Sequence, residues 1–285
     1  PGTTCRGCAT MTEIDPSALS EAVEEIAAEA GRAILEIYRQ DFEVVQKDDN
    51  SPLTQADLAS HRIICEALAR LTPEVPVLSE ESADIDFETR SRWPVFWLVD
   101  PLDGTKEFVN RNDEFTVNIA LISGHEPVLG VVHVPVSGMT YTGLTGHWAM
   151  RRDAAGYRQA IAVRRPCADP VVIVGSRSHA NPRLAEFLGA IGDYEMVSMG
   201  SSLKFCLLAE GKADFYPRLG PTSEWDTAAA HAVVLGAGGR IVELSGLPLR
   251  YNTKESLLNP EFLVIADDSK NWVKMFENYK SVTNS

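Results

Sequence analysis

Apolar residues recur along this chain with two periods, and the change from one to the other organises it. Between residues 17 and 39 they stand at 19, 23, 26, 30, 33, 34 and 37, the three-to-four spacing of an amphipathic helix. Residues 47–52 form a polar loop. Thr54-Gln55-Ala56-Asp57 then opens a second helix through Leu71, with Leu58, Ile63, Ile64, Leu68 and Leu71 on its apolar side. Residues 75–78 predict a short strand that ends on Ser79-Glu80-Glu81-Ser82. From 93 to 165, runs rich in Val, Ile, Thr and Tyr alternate with Gly breaks, as at 115–122 and 128–134, and predict a meandering, largely antiparallel sheet. Near Pro166 the pattern changes. Strands at 171–174, around Met196, at Phe215-Tyr216, 240–244 and 262–266 are interleaved with helices at 183–191, 203–210 and 226–235. That alternation predicts an α/β part. The expected fold class is α/β, with an α+β part over residues 11–165, an α/β part over 166–285 and a cleft between them.

Composition narrows the function. With 45% hydrophobic and 23% charged residues, the chain has the make-up of a soluble globular protein with ample core. Its formal net charge is −14, and no basic stripe or Lys/Arg-rich arm appears, which argues against nucleic-acid binding. An acidic protein that handles phosphates needs metal ions or a few local cations to offset its own field. No apolar run approaches the roughly 20 residues that span a bilayer, and no secretory signal is evident. The odd count and wide spacing of Cys5, Cys8, Cys65, Cys167 and Cys206, with helical settings for Cys65 and Cys206, predict buried thiols in a reducing cytoplasm. Cys5 and Cys8 resemble half a zinc site, but no second Cys/His pair completes it. Residues 1–10 lack periodicity and read as a disordered leader or cloning scar, with Met11 resembling a natural start.

Chemistry concentrates where the apolar run 95–99 empties into Asp100-Pro101-Leu102-Asp103-Gly104-Thr105. Pro101 cannot extend a sheet ladder, so the strand is expected to end where Asp100 emerges. Gly104 permits a tight turn, and the residues after it can open a helix whose free N–H groups attract anions. Two hard oxygen ligands beside such a turn suit metal-assisted phosphate chemistry. Three further acidic features share the position of a strand end or helix start, and each has a plainer reading. Glu80 and Glu81 fit a solvated loop, Asp57 fits a Thr54-x-x-Asp57 capping box, and Asp226 fits a helix N-cap or first turn.

Taken together and in order, Glu80-Glu81-Ser82, Asp100-Pro-Leu-Asp103-Gly-Thr105 and Trp225-Asp226-x-Ala-Ala resemble the three signatures of the inositol monophosphatase superfamily. These are Mg²⁺-dependent, lithium-sensitive phosphatases, and the match spans residues 15–266. Residues 47–57, 79–82, 103–108, 115–121 and 200–207 resemble the bacterial CysQ-type 3′(2′),5′-bisphosphate nucleotidases in particular. Two departures are visible: Ala230 stands where the family often has Gly, and Glu224 where it more often has an apolar residue.

The resemblance implies a layered αβαβα sandwich and two or three Mg²⁺ ions. Glu80, Asp100 and the Leu102 carbonyl would hold the first ion, and Asp100, Asp103 and Asp226 the second. Asp57 and Thr105 would orient and deprotonate the attacking water, with Glu80 counted among the catalytic residues. Gly104, Thr105 and Asp226 would meet the phosphate to be cut, and His179, Ser201, Lys204 and Arg218 the rest of a nucleotide bisphosphate. Plainer readings stay open for three of these: a solvated helix cation for Lys204, a surface salt bridge for Arg218 and a loop histidine for His179. The implied reaction takes adenosine 3′,5′-bisphosphate to AMP and phosphate, with the sulfated form as a second substrate. Inositol or sugar phosphates, and a non-catalytic nucleotide sensor, are the alternatives. Nothing in the pattern decides between monomer and homodimer.

Overall fold

A computed structural model describes residues 14–40, 52–176, 182–189 and 191–283 of the 285-residue chain. Two helices open it, α1 (Pro16–Tyr38) and α2 (Pro52–Leu71). Asp15 caps α1 by accepting a hydrogen bond from Ser17 N at 2.9 Å. A seven-stranded sheet follows, with β1 (Val77–Ser79), β2 (Val95–Asp103), β3 (Thr116–Ser123), β4 (Glu126–Val134), β5 (Met139–Leu144), β6 (Trp148–Arg152) and β7 (Arg158–Ala160) in sequential order. β1 runs parallel to β2, and the other pairings are antiparallel. The short helices α3 (Phe87–Arg90) and α4 (Thr105–Val109) flank β2. A second sheet holds β8 (Val171–Ser176), β9 (Tyr194–Met199), β10 (Phe215–Arg218), β11 (Arg240–Glu243) and β12 (Phe262–Ile265) in the order β11-β12-β10-β8-β9. Its helices are α5 (Pro182–Gly189), α6 (Leu203–Ala209), α7 (Trp225–Gly236) and α8 (Trp272–Thr283).

Side-chain alternation along the strands sorts the interior into three cores. Trp97, Val99, Val117, Ile119 and Leu121 pack outward against α1 and α2. Phe96, Leu98, Ala120 and Ile122 point the other way, onto α6 and α7, which Val172, Val174, Tyr216, Phe262 and Val264 meet from the second sheet. Val171, Ile173, Phe215, Leu263 and Ile265 cover the far face with Phe187 of α5 and Trp272 and Phe276 of α8. The layers therefore run αβαβα.

Helix α7, in the central layer, has every side chain from Thr227 to Val234 buried. It lies directly on the first sheet's backbone. A Cβ on Gly130 would stand 2.1 Å from the Ala229 carbonyl oxygen, and one on Gly143 would stand 2.3 Å from Val233 Cα. Glycine on the sheet and alanine on the helix, including the fully buried Ala230, permit that approach and bring the start of α7 to the end of β2.

Several elements differ from expectation. β2 does not stop at Asp100 but continues to Asp103 through a register shift between the pairs Asp100–Asn118 and Asp103–Thr116. A bulge leaves a residue without a ladder partner, so the missing N–H of Pro101 costs nothing there. α2 begins at Pro52, whose fixed φ suits a first turn, so Thr54 and Asp57 sit inside the helix and form no capping box. α3 and β7 are too short to show a period. α8 continues past the last expected strand and stacks Trp272 on Phe215, with centroids 4.2 Å apart. Cys65, Cys167 and Cys206 are free thiols, but only Cys206 is fully buried. Residues 1–10, with Cys5 and Cys8, and 47–51 lie outside the described residues. Among the described residues, no helix is long and apolar enough to cross a membrane.

Candidate active site

Residues i and i+3 of a regular strand point to opposite faces, so Asp100 and Asp103 cannot share a site without a register shift. The bulge supplies it. One carboxylate oxygen from each of Asp100, Asp103 and Asp226 lies within 4.8 Å of the others. Asp100 is buried and accepts from its neighbour Leu102 N at 3.0 Å. Asp103 Oδ2 is held by Ser202 N at 2.7 Å, Ser202 Oγ at 2.9 Å, Asn118 Nδ2 at 3.3 Å and Thr116 Oγ1 at 3.4 Å. Asp226 is not the N-cap of α7; Glu224 is, and Asp226 occupies the first turn, accepting from Ser223 N at 2.9 Å. The Ser202 hydroxyl also lies 2.7 Å from the Asp226 carbonyl oxygen, joining the two sides.

Three carboxylates packed this closely resist ionisation. Burial, then the charges of Asp103, Glu80, Asp226 and Asp57, hold the Asp100 carboxyl well above the usual range. Burial also raises Asp103, against the pull of Lys204 and the Ser202 and Asn118 hydrogen bonds. Asp226 is pushed up to about 7, by burial first and Asp103 second. A hard dication relieves all three strains at once, and an all-oxygen donor set of this kind fits Mg²⁺.

Around the trio, Glu80 opens a short 3₁₀ turn, Glu80–Ser82, directly after β1. It is half-buried, outside the trio, and near enough for its charge to raise both Asp100 and Asp226. Asp57 is buried on α2 and also acts on Asp100 through its charge. α2 is fastened to both acidic segments, at Pro101 and at Ser79. Ser60 Oγ donates to the Pro101 carbonyl at 2.8 Å, and His61 Nδ1 lies 2.9 Å from Ser79 Oγ. The Leu102 side chain is buried in the outer core. Gly104 has φ +95°, and a Cβ there would meet Glu114 O at 3.1 Å and Ser201 Cβ at 3.2 Å, so conformation and space both require glycine. Thr105 follows as the half-buried first residue of α4.

Asp103, Gly104 and Asp226 share a pocket with Ser201, Lys204, Tyr216, Arg218 and Thr222. Lys204 is not a solvated cation. It is buried, donates to the Ser201 carbonyl at 2.6 Å, and burial draws its pKa down to about 8. Arg218 Nη2 donates to the Pro221 carbonyl at 2.7 Å rather than to a carboxylate. Arg218 Nε, Ser201 Oγ and Thr222 Oγ1 are buried without a hydrogen-bond partner among the described residues. Polar capacity left unused in a pocket wall marks a place for a polar ligand. His179 lies outside the described residues. Sequence reasoning passed over Ser202, Asn118, Ser60 and Thr222. A polar residue inside the apolar run 115–122 is a signal for Asn118, and Ser202 stands beside Ser201; Ser60 and Thr222 give no local sign.

Comparison with known proteins places this geometry. The model of the inositol monophosphatase family matches residues 15–273. The 3′(2′),5′-bisphosphate nucleotidase CysQ of Escherichia coli (strain K12) is 51% identical over 243 residues, covering 84% of this chain and 96% of the relative. CysQ of Haemophilus influenzae is 37% identical, covering 88% and 94%. Among solved structures, CysQ from Bacteroides thetaiotaomicron superposes with a TM-score of 0.77 at 42% identity, covering 87% of this chain and 97% of that one. Mycobacterium tuberculosis SuhB, at 24% identity and a TM-score of 0.72, shares the fold. With the family's pattern running from α1 into α8, the chain belongs to the inositol monophosphatase family.

Proposed function

We propose that the protein is a Mg²⁺-dependent 3′(2′),5′-bisphosphate nucleotidase, hydrolysing the 3′-phosphate of adenosine 3′,5′-bisphosphate to AMP and phosphate, with the sulfated form as a second substrate. The observation that carries the reading is the trio of the buried Asp100 with the half-buried Asp103 and Asp226, beside a pocket holding Lys204 and Arg218. The half-identical relative named as this nucleotidase supports it. The reaction belongs in a reducing cytoplasm.

Two or three Mg²⁺ ions fit the oxygen donors. Glu80, Asp100 and the Leu102 carbonyl would hold one, and Asp100, Asp103 and Asp226 another. When bound, such ions supply Lewis-acid stabilisation of the charge that develops on the phosphoryl and leaving oxygens. The chain's own groups do the rest. Asp57 accepts a proton from the attacking water, and the Thr105 hydroxyl orients that water. The Gly104 N–H and Thr105 grip the phosphate to be cut. Lys204 and Arg218 pair with the phosphate that stays, and Ser201 and His179 complete the nucleotide's seat.

Phosphate release should be measured on adenosine 3′,5′-bisphosphate, its 5′-sulfated form, inositol 1,4-bisphosphate and inositol monophosphate, with Mg²⁺ and with a chelator. The highest kcat/KM is expected on the adenosine bisphosphate, with turnover abolished by the chelator. A tenfold preference for inositol monophosphate would favour the inositol phosphatase reading, and tight nucleotide binding without phosphate release would favour a sensor.

A further inference from the structure

The three carboxylates are held very unequally. Asp100 and Asp103 ride on one strand, and four donor groups lie within 3.4 Å of Asp103 Oδ2. The Asp226 carboxylate has one protein donor among the described residues, the Ser223 N–H. It also faces two like charges that push it away. The Ser202 hydroxyl, 2.7 Å from the Asp226 carbonyl, holds the backbone of Asp226 at one point, and residues 251–259 are built against the rest of the turn 222–226.

Asn259 grips it from one side. Its N–H donates to the Thr222 carbonyl at 2.8 Å, and its Nδ2 lies 2.8 Å from the Ser223 carbonyl and 3.0 Å from Thr227 Oγ1. Glu224 grips from the other. Fully buried, it accepts from Asn252 N at 2.7 Å through Oε2, its Oε1 lies 3.7 Å from Lys254 Nζ, and its own N–H donates to the Leu257 carbonyl at 2.8 Å. The far end of the segment is moored to the first sheet's side of the molecule. The buried Arg90 of α3 donates to Asn252 Oδ1, and Asn252 Nδ2 returns a bond to the Arg90 carbonyl at 2.7 Å. His125, in the turn between β3 and β4, exchanges hydrogen bonds with the Tyr251 backbone at 2.8 and 3.1 Å.

We infer that residues 251–259 are a strap that sets the position of Asp226 relative to β2, with Asn259 and Glu224 as its positioning residues. The strap references the turn that bears Asp226 to α3 and the β3–β4 turn, which sit at the start of β2, the strand whose far end carries Asp100 and Asp103. It thereby holds the third carboxylate in place against repulsion before a cation arrives. Groups that orient metal ligands change metal affinity by about 10–100-fold when removed. The inference rests on Asp226 being a metal ligand, as proposed above.

Asn259→Asp tests it with almost no change of shape, because a carboxylate cannot donate to the Ser223 carbonyl. Mn²⁺ binding to the substrate-free protein, read by the electron paramagnetic resonance of free Mn²⁺, should weaken about tenfold. The Mg²⁺ concentration for half-maximal turnover should rise by a similar factor, while kcat at saturating Mg²⁺ stays within about twofold. Asn259→Gln, which restores the donor on a longer arm, should recover part of the loss; Asn259→Ala replaces Asn259→Asp if the latter does not fold. Asp226→Asn is the control. Parental Mn²⁺ affinity in Asn259→Asp and Asn259→Ala, with weakened binding in Asp226→Asn, overturns the strap and leaves the ligand reading intact. Parental affinity in Asp226→Asn overturns the ligand reading itself.

Discussion

The two walls of the pocket are finished to different degrees. On the β2 wall, Asp103 Oδ2 already has four donor groups within 3.4 Å, and behind it the buried Asp100 is locked by the Leu102 N–H. On the facing wall, Arg218 Nε, Ser201 Oγ and Thr222 Oγ1 are buried without protein partners among the described residues. The first wall is assembled by the fold, at the cost of carboxylates pressed together against their own repulsion. The second carries polar capacity that the fold leaves unspent. That is the division expected between a cage for a small hard cation, which needs preset geometry, and a seat for a larger polar ligand that completes its own contacts.

The comparison breaks most severely at Asp100. Asp100→Asn keeps the shape and removes the charge that both proposed cation sites share. Turnover should fall at least about 10³-fold, the scale of losing a major electrostatic stabiliser of the transition state. Thermal unfolding of the metal-free variant should come no lower than the parent, because one of three mutually repelling carboxylates is gone. A variant that keeps a tenth of parental kcat would show that the β2 wall is not the metal cage.

A smaller change sharpens the other wall. If Arg218 holds the phosphate that is not cut, Arg218→Ala should lower kcat/KM on adenosine 3′,5′-bisphosphate by about 10²-fold, within the roughly 2–5 kcal/mol of a desolvated charge contact. On a simple monophosphate the loss should be within about threefold. Equal losses on both substrates would make Arg218 a support of the fold, through its bond to the Pro221 carbonyl.

The walls also differ in how much of them the sequence discloses. An apolar run that empties into Asp100-Pro101-x-Asp103-Gly104 announces an acidic turn. It does not announce that β2 runs on through Pro101, since proline shows only where a regular ladder fails, and the bulge depends on pairing with Asn118 and Thr116. Nothing local separates Ser201 from Ser202 either. The two are adjacent and alike, and only contacts to residues 99 and 24 positions away show that Ser202 binds Asp103 and the Asp226 carbonyl. The strap lies further still from any sequence signal. Residues 251–259 have no period, and the Arg90–Asn252 pair joins positions 162 residues apart. The helices and strands were legible because burial repeats along them; hydrogen bonds between distant loops repeat along nothing.

The mildest test separates the walls by pH. Lys204 is the buried cation of the substrate wall, and its pKa stands at about 8 because burial disfavours the ammonium, with Arg218 adding to that and Asp103 opposing it. Cations held by Asp100, Asp103 and Asp226 would cancel the carboxylates' help and push the value no higher. Above that pH the free enzyme presents a neutral amine to the substrate. The profile of kcat/KM, which reports groups in the free enzyme, should then show an alkaline limb at or below about pH 8 on adenosine 3′,5′-bisphosphate. Losing one such charge-assisted contact predicts a fall of about tenfold across the limb, because a hydrogen bond to a charged group is worth about 1.5–3 kcal/mol against about 1 for a neutral one. Lys204→Arg should remove the limb while keeping activity at high pH, since a guanidinium stays charged throughout. Lys204→Met should remove it by starting low at neutral pH. A limb that persists unchanged in both variants would belong to another group, and the substrate wall would lose its buried ammonium as a phosphate partner.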